Sequence, residues 1–120
     1  NRETLICLMI EEMEGVNNAD QIARVEGVDV LFVGAGDLSV SMGYPGKTTH
    51  PEVVKAVEQT VQATLGAGKT AGCSCPDDQV PYWLAQGARF FHSGVSGLLR
   101  QSGQGYLDKM RASASNVGAN

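Results

Sequence analysis

The feature that most constrains this 120-residue chain is a pair of wholly apolar runs, each followed closely by an acidic residue. The first run covers residues 5–10 and is followed by Glu11, and the second covers residues 30–33 and leads through a short turn to Asp37. A run that is apolar at every position is typical of a strand buried on both faces of a parallel sheet. The spacing of the runs suits one strand–helix–strand unit, so we expect two adjacent parallel strands with their acids at the same end.

Glu11 and Asp37 are 26 residues apart and are the candidate ligands of a metal ion. Adjacent strands lie about 4.8 Å apart, so two carboxylates at one edge of a sheet can reach a single ion. Hard divalent cations such as Mg²⁺ prefer oxygen ligands and usually keep several waters. The alternative is that Glu11 favours the positive end of a helix dipole and Asp37 caps a short helical turn.

The chain as a whole repeats the order strand, loop, helix four times. This alternation predicts an α/β fold with a parallel sheet, and four such units are half of a TIM-type (β/α)8 barrel. A half-barrel alone has two open edges and an uncovered inner face. The chain is therefore expected to be a piece of a longer protein, to complete its sheet by association, or to form an open doubly wound sheet. The predicted strands cover residues 5–10, 29–33, 70–74 and 88–92, and the first helix covers residues 15–25.

Capping residues and glycines predict where the later helices begin and end. Thr49 and Glu52 fit a capping box at the start of the longest apolar-striped helix. Asp77 is expected to be the N-cap of the next helix. Gly103 and Gly105 are expected to interrupt the last helix, because each glycine costs about 1 kcal/mol relative to alanine.

Composition narrows the class of protein. A hydrophobic content of 42% and a charged content of 18% describe a globular chain. The net charge of −4 and the lack of a Lys/Arg cluster argue against binding to nucleic acid. No apolar run approaches the roughly 18 residues that span a bilayer, and no signal peptide is visible, so we expect no membrane partner. Three cysteines in strand-like runs suit reduced thiols, which predicts a cytoplasmic location.

Several separate motifs, in order and spacing, resemble the HpcH/HpaI aldolase family. They begin with residues 25–39, continue through Met42-Gly43-Tyr44 and His50-Pro51-Glu52-Val53, and extend through Gly68-Lys69 and Gly87-Ala88 to Gly94-Val95. The family comprises class II, metal-dependent pyruvate aldolases and includes macrophomate synthase-like enzymes. The resemblance implies that residues 1–112 are the C-terminal half of a TIM-type (β/α)8 barrel domain. The small and polar residues at the end of the chain predict a flexible tail over residues 113–120.

The resemblance implies a role for the two acids. In the family, a Glu after strand five and an Asp after strand six bind a divalent metal (Mg²⁺, Mn²⁺ or Co²⁺), and the matching residues are Glu11 and Asp37. The implied reaction is aldol cleavage of 4-hydroxy-2-oxo acids to pyruvate and an aldehyde. The metal chelates the 2-oxo acid and, as a Lewis acid, stabilises the enolate that forms on cleavage.

The resemblance also implies substrate-binding residues. In the family, amides of a Gly-Pro-Ala-Asp loop hold the carboxylate of pyruvate, and the matching loop is Gly34-Ala35-Gly36-Asp37. Ala35 stands where Pro is usual, and Gly36 stands where Ala is usual and leaves its amide open to close approach. Ser74 matches an apolar residue that shapes the aldehyde pocket, so its hydroxyl is expected to alter the preference for the aldehyde acceptor.

The largest departure from the family is the lack of a counterpart to its catalytic His and its enolate-stabilising Arg, both of which come from the first half of the barrel. The sequence therefore predicts metal and 2-oxo acid binding but no assigned catalytic residue. The alternatives are an oxaloacetate decarboxylase or a synthase that uses the pyruvate enolate, and a non-catalytic half-barrel. The resemblance also implies a homo-oligomer in which the last helix packs on a neighbouring subunit.

Overall fold

The structure is a computed structural model that describes residues 3–117, with the side chains of residues 116 and 117 excepted. The strands are β1 (Cys7–Ile10), β2 (Val30–Val33), β3 (Thr70–Cys73) and β4 (Phe90–Phe91). The α-helices are α1 (Met13–Asn17), α2 (Ala19–Ala23), α3 (Ala35–Ser41), α4 (Pro51–Gly66), α5 (Val80–Ala85) and α6 (Val95–Val117). The predicted α/β class is confirmed. The single helix predicted at residues 15–25 is replaced by α1 and α2, which meet at Asn18.

The four strands form one parallel sheet in the order β1-β2-β3-β4. Ile10 pairs with Val33, and Val33 pairs with Cys73, so the first three strands end at the same level. Each right-handed crossover moves one strand further in the same direction, which places the connecting helices on one face of the sheet. A doubly wound sheet reverses its strand order instead. The order therefore excludes the open doubly wound alternative and agrees with part of a barrel.

The face of the sheet that carries the helices contains the core. Ile10, Val33 and Cys73 are buried there against apolar residues of α4 and α5. These include Val57, Val61 and Trp83. Burying one such aliphatic side chain contributes about 1.5–3 kcal/mol, so this layer supplies much of the stability of the domain.

The opposite face is only partly covered. Met9, Phe32, Gly72 and Phe90 share one register level, and Phe32 meets the ring of Phe90 edge-on. Phe32 is buried, but Met9 is 57% exposed. The expectation that both apolar runs are buried on both faces therefore holds for β2 and is wrong for β1. The reason is that β1 lies at an edge of the sheet, where nothing in the described chain covers this face.

Proline decides where α4 and α5 begin. The residue before a proline is driven to an extended conformation, and His50 has φ −61° and ψ 136° immediately before Pro51. His50, not Thr49, is therefore the N-cap of α4, and its Nδ1 accepts a hydrogen bond from the Glu52 amide at 3.3 Å. The predicted Thr49 capping box is wrong. Asp77 begins a 3-10 turn instead of capping α5, which starts at Val80 beside a proline in its first turn.

Helix α6 is continuous over 23 residues. The interruption predicted at Gly103 and Gly105 is wrong, because a glycine costs only about 1 kcal/mol relative to alanine, which weakens a helix without breaking its hydrogen bonds. Residues 113–117 are helical, residues 118–120 lie outside the described part of the chain, and the division at residue 112 stays a prediction. Between residues 3 and 117, no helix has the length and apolar character to cross a membrane.

Candidate metal centre

Two adjacent strands place Glu11 and Asp37 at the carboxyl edge of the sheet. Glu11 directly follows β1, and Asp37 lies in the first turn of α3, which begins just after β2. The Gly34 amide donates a hydrogen bond to the Ile10 carbonyl at 3.0 Å, so the pairing of the two strands continues to this point. Both acidic residues are exposed. The N-cap of α3 is Gly34, so the alternative role of Asp37 as an N-cap is wrong.

The side chain of Glu11 lies over the backbone of Gly34. A Cβ atom at position 34 would be 3.0 Å from Oε1 of Glu11 and 3.1 Å from its Cγ. Both distances are tighter than ordinary contacts. The glycine therefore leaves the space in which the Glu11 carboxylate lies.

The two carboxylates act on each other. The pKa of the Glu11 carboxyl is raised, first because it shares a hydrogen bond with Asp37, and then because of slight desolvation and repulsion by the Asp37 charge. Repulsion of this kind is relieved by a proton or a cation between the two groups.

The donor set fits a hard divalent cation with an incomplete protein shell. Carboxylate oxygens are the ligands of Mg²⁺ and Mn²⁺, and Mg²⁺ is commonly bound by one or two carboxylates together with water and substrate. Among residues 3–117, no group of three or more His, Cys, Asp and Glu side chains is placed to hold a metal ion. A cation held by Glu11 and Asp37 would therefore take no third His, Cys, Asp or Glu side chain from this part of the chain.

The loop after β2 is held by Ser74. The Ala35 amide donates a hydrogen bond to the Ser74 hydroxyl at 3.0 Å, and this hydroxyl lies 3.5 Å from the Val33 carbonyl. The amides of Gly36 and Asp37 occupy the second and third positions of α3, where no carbonyl of a preceding turn is available to them. Of the four loop residues predicted to bind a carboxylate, these two have amides that are open to a ligand.

A hollow of about 290 Å³ lies beside this loop and was not predicted. Its walls are formed by Gly36, Thr48, Ser74, Cys75 and Pro76. The sequence pointed to Ser74 through the resemblance, but nothing in the pattern around Thr48 marked it as a neighbour of the site. A larger hollow of about 520 Å³ lies on the other side, next to Glu11.

The sequence is similar to a known family and to aldolases within it. The profile of the HpcH/HpaI aldolase/citrate lyase family matches residues 1–101. The chain is 42% identical over 111 residues to a hydroxypyruvate/pyruvate aldolase of Delftia acidovorans, covering 89% of this chain and 41% of that protein. It is 39% identical over 97 residues to a 2-keto-3-deoxy-L-rhamnonate aldolase of Escherichia coli, covering 78% of this chain and 36% of that protein.

The fold is similar to part of a solved structure. A HpcH/HpaI aldolase/citrate lyase family protein of Burkholderia cenocepacia J2315 matches with a TM-score of 0.86 and 28% identity, over 92% of this chain and 44% of that one. The chain thus spans less than half the length of the relatives it matches.

Proposed function

Because this chain belongs to the HpcH/HpaI aldolase/citrate lyase family, we propose that it carries the cation- and pyruvate-binding part of an aldolase. The reaction is cleavage of a 4-hydroxy-2-oxo acid to pyruvate and an aldehyde. The observation that carries the proposal is the interaction of two carboxylates, Glu11 and Asp37, with the Glu11 side chain lying over Gly34. The aldolase names of the two relatives support the reaction class.

Glu11 and Asp37 would hold the divalent cation, which we propose to be Mg²⁺, Mn²⁺ or Co²⁺. Such an ion, when bound, supplies Lewis acidity toward the oxygens of a 2-oxo acid. The like charge of the two carboxylates favours a cation at this place, and the open approach above them leaves room for substrate and water ligands.

The loop after β2 would bind the substrate carboxylate. The amides of Gly36 and Asp37 donate to it, and the positive end of α3 favours its charge. Ser74 holds the Ala35 amide and thereby fixes the direction of the turn. Cleavage requires removal of the proton from the C4 hydroxyl, after which the bond between C3 and C4 breaks and the aldehyde leaves. We assign no residue of this chain to that proton transfer.

We also propose that α6 packs on a second copy of the chain. Its apolar side chains are open to solvent: Leu99 is 68% exposed, Tyr106 66% and Met110 55%. Helical spacing places these three on one side of α6, and an exposed apolar stripe of this kind marks an interaction surface. Light scattering during size-exclusion chromatography tests this, with a monomer as the contradicting result.

The free thiols of Cys7, Cys73 and Cys75 support a reducing, cytoplasmic location.

Calorimetric titration with Mn²⁺ tests the metal site. The variants are Glu11→Gln and Asp37→Asn, and the matched control is Glu12→Gln, which changes an exposed neighbour outside the carboxylate pair. We expect each of the first two to weaken Mn²⁺ binding at least tenfold and the control to leave it within twofold. Unchanged affinity in both Glu11→Gln and Asp37→Asn would contradict the proposal.

Deuterium exchange at the methyl group of pyruvate, followed by NMR with Mn²⁺ or with a chelator, then tests the chemistry. Exchange that depends on the cation supports enolate formation by this chain or its assembly. Binding without exchange supports the non-catalytic half-barrel. Release of pyruvate from oxaloacetate but not from a 4-hydroxy-2-oxo acid would favour the decarboxylase instead.

A further inference from the structure

We propose that Thr48 selects the aldehyde part of the substrate and favours 2-oxo acids that carry a hydroxyl group on the carbon next to C4. The inference rests on the proposed function, because it assigns the hollow beside the loop to the part of the substrate that leaves as aldehyde. It adds a residue that neither the sequence pattern nor the relatives assign to substrate selection in this chain.

The position of the hollow supports this assignment. It borders Gly36, whose neighbour Asp37 is one of the two candidate metal ligands. A 2-oxo acid bound with its carboxylate on the loop amides and its keto group toward the carboxylate pair must extend its remaining carbons away from both. Of the two hollows beside the carboxylate pair, the one of about 290 Å³ borders Gly36 of the loop, and we assign these carbons to it.

The chemistry of the walls singles out Thr48. The Ser74 hydroxyl already accepts the hydrogen bond of the Ala35 amide, and Pro76 has no donor of its own. Cys75 offers a thiol, which is a weak donor and a weak acceptor. Thr48 is half-buried, and a threonine hydroxyl both donates and accepts hydrogen bonds. It is therefore the wall residue best suited to pair with a substrate hydroxyl group.

The loop that carries Thr48 is tied down on both sides. The rings of Tyr44 and His50 stack with their centroids 3.8 Å apart and an angle of 17° between their planes. The Tyr44 amide donates to the Ser39 carbonyl at 2.7 Å, and the His50 amide donates to the Lys47 carbonyl at 3.0 Å. Thr48 thus lies between a connection to α3 and the N-cap residue of α4, which gives the residue a defined place in the wall.

Two 2-oxo acids of equal size provide the test. They differ only in the group attached to C5, which is a hydroxyl in 4,5-dihydroxy-2-oxopentanoate and a methyl group in 4-hydroxy-2-oxohexanoate. Dissociation constants are measured by calorimetry with saturating Mg²⁺, together with that of pyruvate. We expect the unmodified chain to bind the dihydroxy acid about fivefold more tightly, the effect of one additional neutral hydrogen bond. Where the chain turns the acids over, the ratio of kcat/KM values replaces the ratio of dissociation constants.

The variant Thr48→Val keeps the shape of the side chain and removes its hydroxyl. We expect it to abolish the preference by weakening the dihydroxy acid alone, with pyruvate affinity unchanged. The matched control is Thr49→Val, at an exposed threonine that does not line the hollow. The inference is overturned if Thr48→Val still prefers the dihydroxy acid, or if Thr49→Val loses the preference to the same extent. In either case, binding of pyruvate still supports the proposed function. Failure of pyruvate and both acids to bind overturns the two together.

Discussion

Replacing Gly34 by alanine tests whether the position of the Glu11 carboxylate, and not merely its charge, makes the site. The new Cβ would lie 3.0 Å from Oε1 of Glu11 and 3.1 Å from its Cγ, whereas ordinary contacts begin at 3.4 Å. The carboxylate must therefore move by a few tenths of an ångström, about 0.4 Å for Oε1. Metal–ligand distances are held to within about 0.2 Å, so this displacement is about twice what a bound ion tolerates.

We expect Gly34→Ala to weaken Mn²⁺ binding about tenfold or more, the range seen when groups that orient metal ligands are changed. The chain should stay folded, because Gly34 has φ −78° and alanine adopts that angle freely. Loss of glycine as the N-cap of α3 costs about 1 kcal/mol or less. Calorimetry gives the affinity, and thermal unfolding followed by circular dichroism gives the stability.

Gly36→Ala is the matched control for this experiment. A Cβ at position 36 meets nothing within 4 Å, and the residue lies in the same helical turn. We expect Mn²⁺ affinity within twofold of the unmodified chain and a gain in stability of up to about 1 kcal/mol, as for glycine to alanine in a helix. Equal Mn²⁺ affinities for Gly34→Ala and the unmodified chain would refute the argument from geometry. So would a loss in Gly36→Ala as large as that in Gly34→Ala.

Three further predictions concern stability. Glu11→Gln should raise the melting temperature without cations at pH 7. Folding raises the pKa of Glu11, so its carboxylate destabilises the fold fully above the folded-state pKa and not at all below the unfolded-state pKa, and the gain should shrink as the pH falls between these two pKa values. A gain that is constant with pH would contradict this. Ser74→Ala leaves the Ala35 amide without its acceptor and should lower the free energy of unfolding in urea by about 1–3 kcal/mol. The control Ser41→Ala, at an exposed position, should lower the free energy of unfolding by less. Gly72→Ala places a Cβ 2.5 Å from the Phe90 carbonyl and should destabilise the chain by about 1–3 kcal/mol in the same assay, and an unchanged urea midpoint would refute the close approach of β3 and β4.

The sheet was predictable because wholly apolar runs are typical of buried parallel strands. The apolar run of β2 agrees with its surroundings, since Leu31 and Val33 are buried against helices and Phe32 is buried against aromatic rings. The shorter extent of β4 was not predictable from composition. Phe90 and Phe91 pair with β3 alone, and residues beyond them have no strand on the other side within the described chain.

The candidate metal ligands were predictable for the same reason, since each acid follows an apolar run directly or by one short turn. The wall formed by Thr48 was not. Its place depends on a ring stack between Tyr44 and His50 and on two consecutive turns, none of which has a periodic signature. The hydrogen bond from Ala35 to Ser74 joins residues 39 apart in sequence, and no local pattern specifies such a contact.

The parallel pairing of β1 with β2 has a consequence for the order in which the site assembles. Both acids belong to one strand–helix–strand unit and are 26 residues apart, whereas the wall residue Ser74 lies 63 residues from Glu11. Closing the longer loop costs about 0.8 kcal/mol more in chain entropy. The lower closure cost favours pairing of the two carboxylates before β3 brings the walls of the hollow. An ion bound at that stage would stabilise the first unit while the rest of the chain folds. The walls that contact the substrate would then form after the metal site.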